Sequence, residues 1–276
     1  MKQRIISGAL LVAILIPTLL LGDYVTGVVL ALVSLVGIYE LLKVFHLETS
    51  IPGIITYIID VIYFALMILI DKQIIENGLT DTFSFMVITV LFFICLLIVY
   101  VITFPKYKAL EIMSCLFIFV YAGVLLSYVY RIRSLEAGVY LVWVIFIASW
   151  ICDTCAYFSG VFLGKHKAFP VLSPKKTWEG CIGGVIGSVL VALLFAIVFS
   201  EQIDGSFGTP RIALPVIVFV CSIISMFGDL AASAIKRDYE IKDYGTLIPG
   251  HGGIMDRFDS VIFVAPVVYY MILLLK

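Results

Sequence analysis

Nine stretches of this chain are long and apolar enough to cross a bilayer, and that feature leaves few folds open. They fall near residues 5–21, 25–42, 53–70, 83–103, 112–130, 138–159, 181–199, 212–232 and 260–275. A span needs about 20 mostly apolar residues, and inside hydrocarbon every backbone N–H and C=O must find its partner within the segment. The expected fold class is therefore an all-α polytopic integral membrane protein with about nine transmembrane helices. Of 276 residues, 63% are hydrophobic and only 13% charged, with a mean hydropathy of +1.17, which excludes a water-soluble globule. With no internal repeat, low-complexity tract or Pro- or Ser-rich linker, a separate soluble domain is not expected. The chain reads as helices 1–3 over 1–81, helices 4–5 over 82–137, and helices 6–9 with two polar loops over 138–276.

Lys2 and Arg4 followed by Ile5–Leu21 imitate a signal peptide, but no small-x-small cleavage site follows and another apolar run begins at once, so an uncleaved first span is expected. Orientation follows from the basic residues of alternate loops, because cytoplasmic loops carry the excess. One set holds Lys2, Arg4, Lys43, Lys106, Lys108, Lys165, Lys167, Lys175, Lys176, Lys236, Arg237, Lys242 and Arg257. The other holds Lys72, Arg131, Arg133, Arg211 and Lys276. The N-terminus is thus expected in the cytoplasm and the C-terminus outside, with both long polar segments, 160–180 and 233–259, on the cytoplasmic side. The net charge of -1 gives no electrostatic case for nucleic acid. Cys95, Cys115, Cys181 and Cys221 lie in apolar runs, and Cys152 with Cys155 lacks the second pair zinc would need, so packing thiols are expected.

The segment 233–259, SAIKRDYEIKDYGTLIPGHGGIMDRFD, interleaves acids and bases too densely for a simple connection. Lys236, Arg237, Lys242 and Arg257 are donors for phosphate oxygens, and Asp243, Asp256 and Asp259 are the hard oxygen ligands Mg²⁺ prefers. Gly245, Gly250, Gly252 and Gly253 let backbone turn tightly and approach an anion. Together these are parts for nucleoside triphosphate chemistry. The same residues also fit ordinary positive-inside loops with paired acids and glycine turns.

Asp229, near the end of the eighth span, shares a helical face with Ser233 and with Lys236 or Arg237. An acid at the edge of hydrocarbon is costly, so it is expected either to join a metal site or to pair with a base such as Lys236. Asp153 holds the matching place in the sixth span. Ala156, Gly160 and Gly164 form a ladder that marks close helix packing. In 165–180, Ser173 and Pro174 read as a helix start that puts Lys175 and Lys176 in the first turn, against the dipole; a bound phosphate, or anionic headgroups, would resolve that conflict. Asp60, mid-span, needs a partner or a water cavity.

The residues Ser233-x-x-Lys236-Arg237, Lys242-Asp243 and His251-Gly252-Gly253-x-x-Asp256-Arg257-x-Asp259 resemble the signature of phosphatidate cytidylyltransferases, also called CDP-diacylglycerol synthases. The segment Asp153-Thr154-x-Ala156-Tyr157, the run Ser173-Pro174-x-Lys176-Thr177-x-Glu179-Gly180, and Gly228-Asp229 resemble the same family. The resemblance covers about 138–260; the first half agrees in length and hydrophobicity alone. It implies transfer of CMP from CTP to the membrane lipid phosphatidate, giving CDP-diacylglycerol and pyrophosphate. It further implies metal carboxylates at Asp229 and Asp256, Mg²⁺ as the ion with K⁺ beside it, a homodimer, and a bacterial inner membrane location. Catalytic work is then expected of Asp229, Asp256, Lys236, Arg237, Lys242, Asp243 and Arg257. Substrate contacts are expected of Asp153, Ser173, Lys175, Lys176, Thr177, Glu179, Ser233, His251, Gly252, Gly253 and Asp259.

Two other functions use similar parts. Another membrane lipid nucleotidyl- or phosphotransferase would need the same cations and carboxylates. A proton- or ion-coupled transporter would use Asp60, Asp153 and Asp229 as an acidic path, but repeated halves and broken midplane helices are not seen.

Overall fold

The computed structural model describes residues 2–71, 81–203, 209–248, 250 and 252–275. It divides into two compact units, Met1–Ser127 with Tyr244–Met255, and Tyr128–Asp243 with Asp256–Lys276. Each is helical because apolar sequence in a membrane can satisfy its backbone only by local hydrogen bonds.

The first unit contains α1 (Lys2–Leu21), α2 (Asp23–Val44), α3 (Ile51–Asp71), α4 (Asp81–Thr103) and most of α5 (Ala109–Arg133). Its core is aromatic. Tyr63 and Phe119 meet edge-on at 5.6 Å, Phe92 lies 5.0 Å from Phe119, and the Tyr63 hydroxyl is 3.0 Å from Ser127 Oγ. α5 passes through a π-helical turn at Phe119–Val124. Asp60 is fully buried, and Ser34 donates a hydrogen bond of 2.8 Å to its Oδ1. A neighbouring hydroxyl on α2 thus partners one oxygen of this mid-span acid, while Oδ2 is buried without a hydrogen-bond partner among the described residues.

The second unit holds α6 (Gly138–Leu163), a ribbon of β1 (Lys167–Phe169) and β2 (Ser173–Thr177), α7 (Trp178–Val198), the short α8 (Ser200–Ile203), α9 (Pro210–Asp238) and α10 (Met255–Leu275). α7 packs on both α6 and α9. The α6 ladder makes the first of these seams: a Cβ at Gly180 would stand 2.8 Å from the Ala156 carbonyl oxygen, and one at Gly164 2.8 Å from Thr177 Oγ1. In the second seam Ser188 and Ser222 share a hydrogen bond of 2.8 Å. All six cysteines are free thiols.

Eight helices, α2 to α7 together with α9 and α10, are long and apolar enough to cross a membrane among the described residues; the corresponding apolar part of α1, Leu11–Leu21, is shorter. The chain is thus a multi-pass, all-α membrane protein, with eight such helices among the described residues.

Two local expectations are corrected. Ser173-Pro174 does not start a helix. Residues Ser173–Thr177 are a strand, paired antiparallel with β1 through Lys167↔Thr177 and Phe169↔Ser173. Proline lacks an N–H to donate, which an edge of a two-stranded ribbon tolerates. α7 begins at Trp178 instead, capped by Thr177, whose Oγ1 accepts the Gly180 N–H at 3.2 Å. Lys175 and Lys176 therefore lie on the strand, outside the first turn of the helix.

The polar segment 233–259 is also helical at both of its ends. Lys236 and Arg237 lie in the last turn of α9 and Asp256 in the first turn of α10, placements that suit the dipole at each end. The connection shrinks to 239–254 because charged residues that interrupt an apolar run can still continue a helix.

Candidate active site

Within the second unit, β2, α6, α9 and α10 bring charged side chains of both signs together. Lys176 Nζ on β2 stands 2.5 Å from Asp229 Oδ2 on α9. Lys236 Nζ, two turns further along α9, donates to Asp256 Oδ1 on α10 at 2.8 Å. Asp229 and Lys236 are seven residues apart and so share a face, as the sequence spacing predicts. The base that pairs with Asp229 is Lys176, because the strand carries Lys176 to it and Lys236 is taken by Asp256.

Around these pairs stand Asp153, Asp259 and Arg257. Asp153 feels the charges of Asp229, Lys176 and Arg257, and Asp259 those of Asp229, Lys236 and Asp153. Gly228, beside Asp229, permits the close approach of α10: a Cβ there would stand 2.9 Å from the Asp259 carbonyl oxygen. Trp150 Nε1 donates to the Arg257 carbonyl at 3.3 Å and ties the start of α10 to α6. The result is four carboxylates against three cations, held at the ends of membrane helices.

Burial of Lys176 by itself would pull its ammonium pKa down. The adjacent Asp229 carboxylate, helped by Asp153, more than reverses this and raises it above the ordinary lysine value. Lys176 is therefore a fixed positive charge at neutral pH.

The other candidates are placed less centrally. Thr177 is engaged as the α7 cap. Glu179 accepts backbone N–H groups of Lys165 and His166 and sits 2.6 Å from His166 Nδ1, so it folds the turn that leads into β1. Ser173 and Ser233 are half-buried, whereas Lys175, Arg237, Lys242 and Asp243 are exposed. Gly252 and Gly253 belong to the first unit, where Ile248 N–H donates to the Gly252 carbonyl at 2.9 Å. His251 lies outside the described residues.

No group of three or more His, Cys, Asp or Glu side chains is gathered closely enough to hold a metal by itself among the described residues. This donor chemistry suits Mg²⁺, which is commonly held by one or two carboxylates plus substrate phosphates. The two paired aspartates, Asp229 and Asp256, are the oxygen donors of that kind.

Glu40, near the end of α2, is a further polar residue that the sequence motifs do not single out. It is 3% exposed and accepts the backbone N–H groups of Ile254, at 3.0 Å, and Met255, at 2.9 Å. The signal in the sequence is an acid near the end of an apolar run, three residues before Lys43.

Comparison with known proteins extends the kinship along the whole chain. A profile of the cytidylyltransferase family matches residues 2–275. A phosphatidate cytidylyltransferase of Bacillus subtilis (strain 168) is 33% identical over 282 residues, covering 99% of this chain and 98% of that protein. Proteins of the same name from Staphylococcus saprophyticus and Staphylococcus haemolyticus are each 33% identical, over 277 and 274 residues, with 99% of both chains covered.

Proposed function

Because the chain belongs to the cytidylyltransferase family, we propose that it is a phosphatidate cytidylyltransferase, a nucleotidyltransferase of phospholipid biosynthesis that moves CMP from CTP to phosphatidate. The observation that carries this reading is the double ion pair, Lys176 with Asp229 and Lys236 with Asp256, in a membrane chain matched over its full length by proteins of that name.

A phosphate oxygen of phosphatidate forms a bond to the α-phosphorus of CTP, and the bond from that phosphorus to the bridging oxygen breaks, releasing pyrophosphate. The nucleophile is already anionic, so positioning and charge neutralisation matter more than a general base. Lys176, Lys236 and Arg257 supply cations for the phosphate oxygens of both substrates. Asp229 and Asp256 would hold Mg²⁺, with K⁺ beside it, and hold Lys176 and Lys236 in place when no ion is bound. When bound, the divalent ion neutralises triphosphate charge as a Lewis acid. Asp153 and Asp259 add two further negative charges around these cations.

The test is turnover by purified protein in detergent with labelled CTP. Label should enter lipid only when both phosphatidate and Mg²⁺ are present, with pyrophosphate released in equal amount. Label entering lipid with a polyprenyl phosphate but not with phosphatidate would overturn the reading.

The reading extends to a homodimer in a bacterial inner membrane, with the site facing the cytoplasm. Cysteines introduced at the exposed positions Lys175 and Lys242 are then expected to label from one and the same face of sealed vesicles, the cytoplasmic one. Labelling from opposite faces would separate the two polar segments.

A further inference from the structure

We infer that Glu40 is a positioning residue for the transfer reaction, its carboxylate holding the glycine-bearing turn that leads into Asp256; this rests on the function proposed above.

The observations are all within the first unit. Helix α10 begins at Met255, and the first N–H groups of any helix lack partners of their own. A serine or aspartate just ahead of the helix is the usual local solution. Here the acceptor comes from α2, 215 residues away in sequence: Glu40 takes the Ile254 N–H on one oxygen and the Met255 N–H on the other. A carboxylate is well matched to this place, having two acceptor oxygens and a negative charge at the positive end of a helix dipole.

The glycines of the turn are shaped around the same group. A Cβ at Gly245 would collide with Glu40 Oε1, and a Cβ at Gly253 would collide with both of its oxygens. The anion these two glycines admit is thus a carboxylate of the protein itself. One turn before Glu40 on α2, Gly37 leaves room for the Met255 thioether, since a Cβ there would stand 2.9 Å from its sulfur. Gly250 and Gly252 have φ of 77° and 85°, values that glycine adopts without strain, and the Ile248 to Gly252 bridge closes the turn. Backbone conformation, glycine clearance and a remote acid therefore all define where the chain enters α10. Asp256 is bonded directly to Met255, so the direction in which its Cα sets out is inherited from a peptide that Glu40 holds.

Glutamine at this position keeps the size but offers one acceptor where two donors point, and turns an NH₂ toward one of them. Glu40→Gln should lower kcat and kcat/KM together by about 10- to 100-fold, the usual range for groups that orient a site from behind. KM for CTP and phosphatidate should stay within about twofold, because both Glu40 oxygens are engaged by backbone N–H groups of the protein. Glu40→Asp, which keeps the charge, should recover part of the loss. Amide hydrogen exchange supplies a readout independent of activity: the peptide covering 252–256 should exchange faster in Glu40→Gln than in the wild type, with the thermal midpoint little changed. Gly253→Ala should impair the wild type but add little to Glu40→Ala, since the collision is with the carboxylate.

A Glu40→Gln protein with wild-type kcat, or with wild-type exchange at 252–256, overturns the inference. So does additivity of Gly253→Ala and Glu40→Ala. If the wild type itself fails to transfer CMP to phosphatidate, the proposed function falls instead, while the exchange measurement still judges the role of Glu40 in the turn.

Discussion

Asp256→Asn should lower kcat by about a thousandfold or more while the protein still inserts and accumulates in the membrane. The Asp256 side chain is only 3% exposed, and its Oδ1 receives the Lys236 ammonium at 2.8 Å. Asparagine keeps the volume and one acceptor oxygen but removes the charge that would neutralise a cation at the start of α10. Asp229→Asn should be comparably severe. The double variant should be little worse than either single, because groups that serve one cation act as a unit. Some stability will also be lost, since the half-buried Lys236 loses the carboxylate charge it faces. Thermal melts in detergent separate that loss from the chemistry. Titration with Mg²⁺ is the decisive measurement: Asp256→Asn with wild-type turnover and an unshifted Mg²⁺ optimum would make Asp256 merely the structural partner of Lys236.

What could be read from sequence depended on whether the signal was local. Membrane helices announce themselves because hydrocarbon imposes length and apolarity residue by residue, and among the described residues eight of the runs are helices of spanning length. The Asp229 to Lys236 face was legible for the same reason, as both residues lie on one regular helix. The strand Ser173–Thr177 was not. Its extended form depends on pairing with β1, a contact that helix-start signals at Ser173 and Pro174 do not encode.

The ends of α9 and α10 were misjudged because hydropathy stops where charge begins, whereas a helix stops where capping and dipole permit. Partner choice was illegible altogether. Nothing in the spacing of 229, 236 and 256 says that Lys176, on a ribbon between two spans, takes Asp229 and leaves Lys236 for Asp256. Glu40 shows the same limit from the other side. Its role exists only because Gly245, Gly253 and the N–H groups of Ile254 and Met255 arrive around it from more than 200 residues away.

Lys176→Met should lower kcat/KM by about a hundredfold, the scale for deleting one charged donor to a phosphoryl group. Its ammonium meets Asp229 from a strand, so substitution removes a cation from the site and leaves the Asp229 carboxylate short of its partner. Lys176→Arg should retain more activity than Met, though less than wild type, because the planar fork does not reproduce a point charge. If the dependence of rate on both CTP and phosphatidate is unchanged in Lys176→Met, the lysine has no part in the reaction. Its pH behaviour gives a second check whose sign is fixed by the pKa. Burial alone would favour the neutral amine, yet the Asp229 charge prevails and raises the folded pKa above the unfolded one. A group raised in this way contributes stability that is fully present below its unfolded pKa and lost as pH climbs through the folded value. The stability difference between wild type and Lys176→Met should therefore be flat from about pH 7 to about pH 10 and shrink only above that range. Thermal melts across this interval test it, and a difference that shrank already between about pH 7 and pH 9 would mean that the ammonium is not held by Asp229.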